Sequence, residues 1–149
     1  MAWHLGVTQA EIRANLAEAY ENALMRHLKS SSLQKLIVFG HDRIYDEQGR
    51  CLEDSVQLYV PNDYVFGVCC RHPELMPGVS IHPARADALD ELEESIGRGA
   101  VLVKWLPNSQ NINPSDPRCR KFYERMRDAG LPLVAHTGGE HTVRILNDA

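Results

Sequence analysis

Four short apolar runs, the first three each separated from the next by a segment with helical spacing, constrain this chain more than any other feature. They are LQKLIVFG at 33–40, VSIH at 79–82, AVLVKWL at 100–106 and LPLVAH at 131–136. Apolar runs of that length fit strands covered on both faces, the situation of a parallel sheet. Strand–helix alternation then implies right-handed crossovers. Two architectures satisfy the pattern, an open flavodoxin-like sheet and part of a (β/α)8 barrel.

The intervening segments carry their own signals. Thr8 and Glu11 form a T-x-x-E capping box, with Val7 placed to staple onto Ile12. Ile12, Leu16, Tyr20, Ala23 and Leu28 follow at helical spacing and predict one continuous helix ended by Ser30–Ser32. Residues 41–61 read as a long loop, the kind often functional in compact domains. Asn62 or Asp63 is placed to cap a helix reaching about Arg71, and Pro77-Gly78 to break the chain before a strand over Val79–His82. Leu89, Leu92 and Ile96 predict the next helical face, closed by Gly97 and Gly99. Asp116 caps a further helix with Pro117 at its first position, and Phe122, Met126 and Ala129 form its apolar stripe before Gly130.

Parity along the strands assigns their faces. Val79 and Ile81, then Val101, Val103 and Trp105, then Leu131, Leu133 and Ala135 form apolar sets suited to a helix layer. His82, Lys104 and His136 alternate with them and project to the opposite side near the strands' C-terminal ends. That end carries the site in both candidate architectures. A lysine within an apolar strand also needs a partner, because burying an unpaired ammonium is costly.

Charge and composition exclude several classes. Sixteen basic against twenty acidic residues leave a formal charge of −4, with no electrostatic footprint for nucleic acid or membrane. The sequence carries no apolar run of bilayer length and no signal-peptide pattern, so a cytoplasmic location is expected. Cys51, Cys69, Cys70 and Cys119 form no CxxC pair and read as buried free thiols.

VSIHP at 79–83, VKWLPNSQNINPSDPRCRKFYE at 103–124 and GLPLVAHTGGEHT at 130–142 resemble the amidohydrolase-related, metal-dependent hydrolases. The resemblance implies a (β/α)8 TIM barrel with one or two divalent metals, zinc or alternatively manganese, at its C-terminal mouth. Its fold class is thus α/β, with residues 1–149 as one incomplete barrel domain covering about strands two to five. His136 matches the family's strand-five metal histidine, and Lys104 stands where some members carry a carbamylated lysine. His82 is then expected to contact a small-molecule substrate or support the metal shell. Asn108 and Gln110, in a loop from Asn108 to Ser115, are expected to edge the substrate mouth.

The departures matter equally. No HxH pair occurs in the chain, His4 stands alone, and the general-base aspartate that the family draws from strand eight has no counterpart, so no catalytic residue is assigned. Hydrolysis by metal-activated water is the implied activity, since zinc lowers the pKa of bound water from about 16 to about 7. Metal-dependent decarboxylation on the same scaffold and a non-catalytic half-barrel are the alternatives. Four strands cut from a barrel would leave open edges, and self-association into a homo-oligomer follows as an expectation.

Overall fold

The computed structural model describes residues 6–138. His4 and the Gly139–Thr142 end of the last quoted motif lie outside them. The chain divides into two compact units, Met1–Leu36 and Ile37–Ala149.

The first unit holds helices α1 (Gln9–Ala14) and α2 (Leu16–Lys29). The capping box forms as expected: Glu11 N–H donates to Thr8 Oγ1 at 3.2 Å, and Thr8 N–H donates to Glu11 Oε2 at 2.8 Å. The bonds from Thr8 hold the Glu11 carboxyl below its ordinary pKa. The expected single helix is interrupted at Asn15, whose extended backbone (φ −160°, ψ 101°) closes α1 and opens α2. Its Oδ1 accepts from Glu18 N–H at 3.2 Å, a local bond that offers the backbone an alternative to continuing the helix. The break resets the helical phase, so Leu16 is 52% exposed and the buried face of α2 is Ala19, Ala23, Met25 and Leu28. Val7, Ala19 and Ala23 form a small buried cluster, and Ile12 packs against it.

In the second unit, β1 (Leu36–Phe39), β2 (Leu75–Val79), β3 (Leu102–Trp105) and β4 (Leu133–Ala135) make one sheet in the order β1-β2-β3-β4. The strands run parallel, with Val79 opposite Val103 and Lys104 opposite Val134. Between them come α3 (Asn62–Arg71), α4 (Ala88–Gly97), the short α5 (Pro107–Gln110) and α6 (Arg120–Asp128). This is the α/β alternation that the sequence implies.

Several boundaries differ from expectation. Pro77 and Gly78 lie inside β2, which ends at Val79, so Ser80 and His82 follow the strand and do not form it. Pro77 keeps a role in the ladder through its carbonyl, which accepts from Val101 N–H at 2.9 Å. Gly78 is required by a close approach, since a Cβ there would stand 2.6 Å from the Phe39 ring. β1 is half-buried, with Phe39 44% exposed, and not covered on both faces: it is the sheet's outer strand. Asn108, Ser109 and Gln110, expected as the start of a loop, belong to α5. Asn62 is the first residue of α3 and does not cap it, because its side chain turns inward. Leu89 is exposed while Ala88, Leu92 and Ser95 form the buried face of α4. All four cysteines are free thiols, but only Cys119 is buried.

The core lies between sheet and helices. Val79, Ile81, Val103, Trp105 and Leu131 pack with Leu92, Phe122 and Met126, as the strand parity predicts, whereas Ala135 of the same sets is exposed and Val101 only half-buried. Trp105 is wholly buried. Its indole N–H donates to Ile81 O at 2.8 Å, and its ring meets those of Phe122 and Tyr123. Burying a side chain of this size stabilises by about 2–3 kcal/mol. Among the described residues no helix is long and apolar enough to cross a membrane.

Candidate functional site

Loops leaving the C-terminal ends of the strands bring together a buried polar hub. Asp42, three residues past β1, is 3% exposed. One carboxylate oxygen accepts from His82 N–H at 2.7 Å and from Arg85 Nη1 at 3.2 Å, while the other accepts from Arg43 N–H at 2.8 Å. Arg85 also donates to Asp87 and Glu91. Asp87 first, then Asp42, hold its guanidinium pKa above the ordinary value against the cost of burial. A lone buried cation would be unfavourable here; three carboxylates on one guanidinium offset its desolvation.

Asn62 ties the next layer. Its amide donates to Ser80 O at 3.1 Å and Glu91 Oε1 at 2.8 Å, and its Oδ1 accepts from Ser80 N–H at 2.9 Å. Gly40 makes room for it: a Cβ at that position would lie 2.5 Å from Asn62 Oδ1. A polar cavity of about 80 Å³ lies beside Asp42, Asn62, Ser80, Arg85 and Glu91.

His82 is 2% exposed and both its ring nitrogens are engaged. Nδ1 accepts from Ala84 N–H at 3.1 Å, which leaves Nε2 to carry the proton and donate to Gln110 O at 2.9 Å. Burial pushes its pKa down to about 4, so the ring is neutral at pH 7. Tyr45 packs against it with ring centroids 5.0 Å apart, and burial raises the phenol to about 12.

Gln110 has no exposed surface. Its Oε1 accepts from Leu106 N–H at 2.7 Å, and its Nε2 donates to Ser80 Oγ at 3.1 Å and Asp42 O at 3.3 Å. One side chain thus joins the ends of three strands. Asn108, on the same short helix, is half-buried.

Lys104 and His136 stand apart from this hub. Lys104 is half-buried on the sheet face opposite Val103 and Trp105, and His136 is exposed just past β4. With Lys104 opposite Val134, His136 stands two residues further toward the C-terminal end of the neighbouring strand. Strand rise and spacing put their Cα atoms about 8 Å apart. The structure therefore joins His82 to Gln110 by a hydrogen bond, and the strand register sets Lys104 near His136. Among the described residues no group of three His, Cys, Asp or Glu side chains could hold a metal.

Sequence reading passed over Asp42, Asn62, Arg85 and Glu91. A signal existed for Asp42: an acidic residue two positions past the glycine that follows an apolar strand is placed at the sheet's C-terminal end. For Arg85 and Glu91 none existed, since their partners lie 43 residues away and six residues away across a helix start. A second pocket, of about 250 Å³, opens between the same loops and is lined in part by Asp46, His82, Pro83, Asn111, Ile112 and Cys119.

A family model described as amidohydrolase matches residues 35–148, most of the chain and the whole of all four strands. No curated protein and no solved structure matches it.

Proposed function

This chain belongs to the amidohydrolase family, and from that premise we propose that it forms part of the mouth of a metal-dependent hydrolase acting on a small molecule in the cytoplasm. Members of the family generally bind divalent metals. The observation that carries the reading is the pair Lys104 and His136, on one sheet face at the C-terminal ends of adjacent parallel strands. Barrel enzymes place their chemistry at that end. His136 would offer an imidazole nitrogen, and Lys104 an oxygen only if carbamylated.

Two donors do not make a zinc site, which takes at least three protein ligands. The described residues alone therefore do not fit a catalytic metal, and the reading assigns them placement, not bond-breaking. Asn108 edges the substrate mouth. His82 and Gln110 support it from below, since their polar atoms are bonded within the fold.

Calorimetry with zinc or manganese tests the assignment. The expected result is binding too weak to be stoichiometric, reduced further by His136→Ala and by Lys104→Ala. A tight site indifferent to both variants would overturn it. In a complete barrel carrying this segment, assays of hydrolytic product and of carbon dioxide separate the reaction classes. Carbon dioxide release without hydrolysis would move the reading to a decarboxylase.

A further inference from the structure

The peptide group joining Trp105 to Leu106 is held from both sides. Its carbonyl accepts from His136 N–H at 3.0 Å, and its N–H donates to Gln110 Oε1 at 2.7 Å. A single peptide plane therefore separates the Gln110 side chain from the backbone of His136. Hydrogen bonds in such a chain polarise one another, so an acceptor on the N–H strengthens the carbonyl as an acceptor on the far side. Leu106 leaves strand geometry at this point (φ −117°, ψ 79°), and its N–H is satisfied by a side chain and not by a strand neighbour. The other end of Gln110 is anchored to Ser80 Oγ and Asp42 O, beyond β2 and β1.

We infer that Gln110 is a positioning residue for His136: it fixes the tilt of the Trp105–Leu106 peptide and, through that plane, the height at which His136 leaves the sheet. The inference rests on the reading of His136 as a ligand of the site, and it supplies what that reading lacks, a reason for an exposed histidine after a three-residue strand to hold one place. It also accounts for a wholly buried glutamine at a strand–helix corner, where an apolar side chain would fill the space but leave the Leu106 N–H unpaired.

Amide hydrogen exchange on the full chain tests it. Gln110→Met removes the acceptor at similar volume, and Gln110→Glu keeps a carboxyl oxygen for the Leu106 N–H. Leu92→Ala is the control, a buried truncation on α4 that shares the core with Trp105 but removes no hydrogen-bonding group. After correction for global stability, Gln110→Met is expected to speed exchange at the Leu106 and His136 amides about tenfold, whereas Leu92→Ala leaves both within about twofold and Gln110→Glu restores most of the protection at Leu106. Unchanged His136 exchange in folded Gln110→Met overturns the inference. If that variant does not fold, Ser80→Ala, which removes one anchor of Nε2, is expected to speed both amides about threefold; no change there overturns it equally. A zinc titration of His136→Ala is read separately. Binding that His136→Ala leaves at the wild-type level sinks the metal reading and leaves the exchange result standing.

Discussion

Gln110 and His82 concentrate more of the site's hydrogen bonding than any residues visible in the sequence as ligands. Truncating Gln110 to alanine strands the Leu106 N–H and the Asp42 carbonyl partner in a buried place. The expected cost is about 3 kcal/mol, read as a lower urea midpoint with the slope unchanged. His82 gives the fold a pH dependence whose sign is fixed by its environment. Its folded pKa of about 4 lies below the ordinary 6.5, because desolvation disfavours the charged ring. The native state thus binds fewer protons than the unfolded chain within that window. The corresponding stability is present above pH 6.5 and is lost as pH falls toward 4, by about 3 kcal/mol in all. Urea titrations from pH 7 to pH 4 should show this slope, and His82→Gln should flatten it. Both residues were legible as unusual, a histidine near a strand end and a glutamine in a polar loop. Their partners were not, because the bonds run to Asp42, Ser80 and Leu106 from three different strand ends.

At the scale of elements, the β1–β2 contact is set by a missing side chain. Gly78 leaves space that the Phe39 ring and Ile37 Cγ2 fill, within 3.0 Å of where a Cβ would stand. Gly78→Ala is expected to destabilise by about 1–3 kcal/mol through overpacking. Phe39→Ala should cost less than truncating a fully buried ring, since Phe39 is 44% exposed, and combining the two should recover much of the loss from Gly78→Ala. A double-mutant cycle in urea measures that coupling; strict additivity would show that the ring yields freely. The sequence marks Pro77-Gly78 as a chain break, and local propensity supports that reading. Tertiary packing overrides it: the proline retains its carbonyl bond to β3, and the glycine is selected by a neighbour 39 residues away in sequence.

For the molecule as a whole, one sheet face is covered by helices and the other bears Phe39, Lys104 and Val134 with partial or full exposure. Exposed apolar side chains on a sheet face favour association. The chain is expected to form a homo-oligomer in sedimentation velocity, and Phe39→Lys with Val134→Lys together should shift it toward monomer. A compact wild-type monomer with cooperative unfolding would count against this expectation.

By itself the sequence determined the class of fold and the membership in its family, because both rest on periodicity and on contiguous motifs. Alternation of apolar strands with helical stripes is a local property, and VKWLP and the LPLVAH strand keep their spacing in the linear chain. Parity likewise separated the helix-facing set of Val79, Val103 and Trp105 from Lys104. What only the tertiary structure decided is the polar architecture at the C-terminal ends of the strands: Asp42 with Arg85, Asn62 with Ser80 and Glu91, and Gln110 with Ser80, Asp42 and His82. A buried polar group is tolerated only when its partners are in place. Those partners are brought together by the crossovers of a parallel sheet, which set residues some 20 to 70 positions apart side by side.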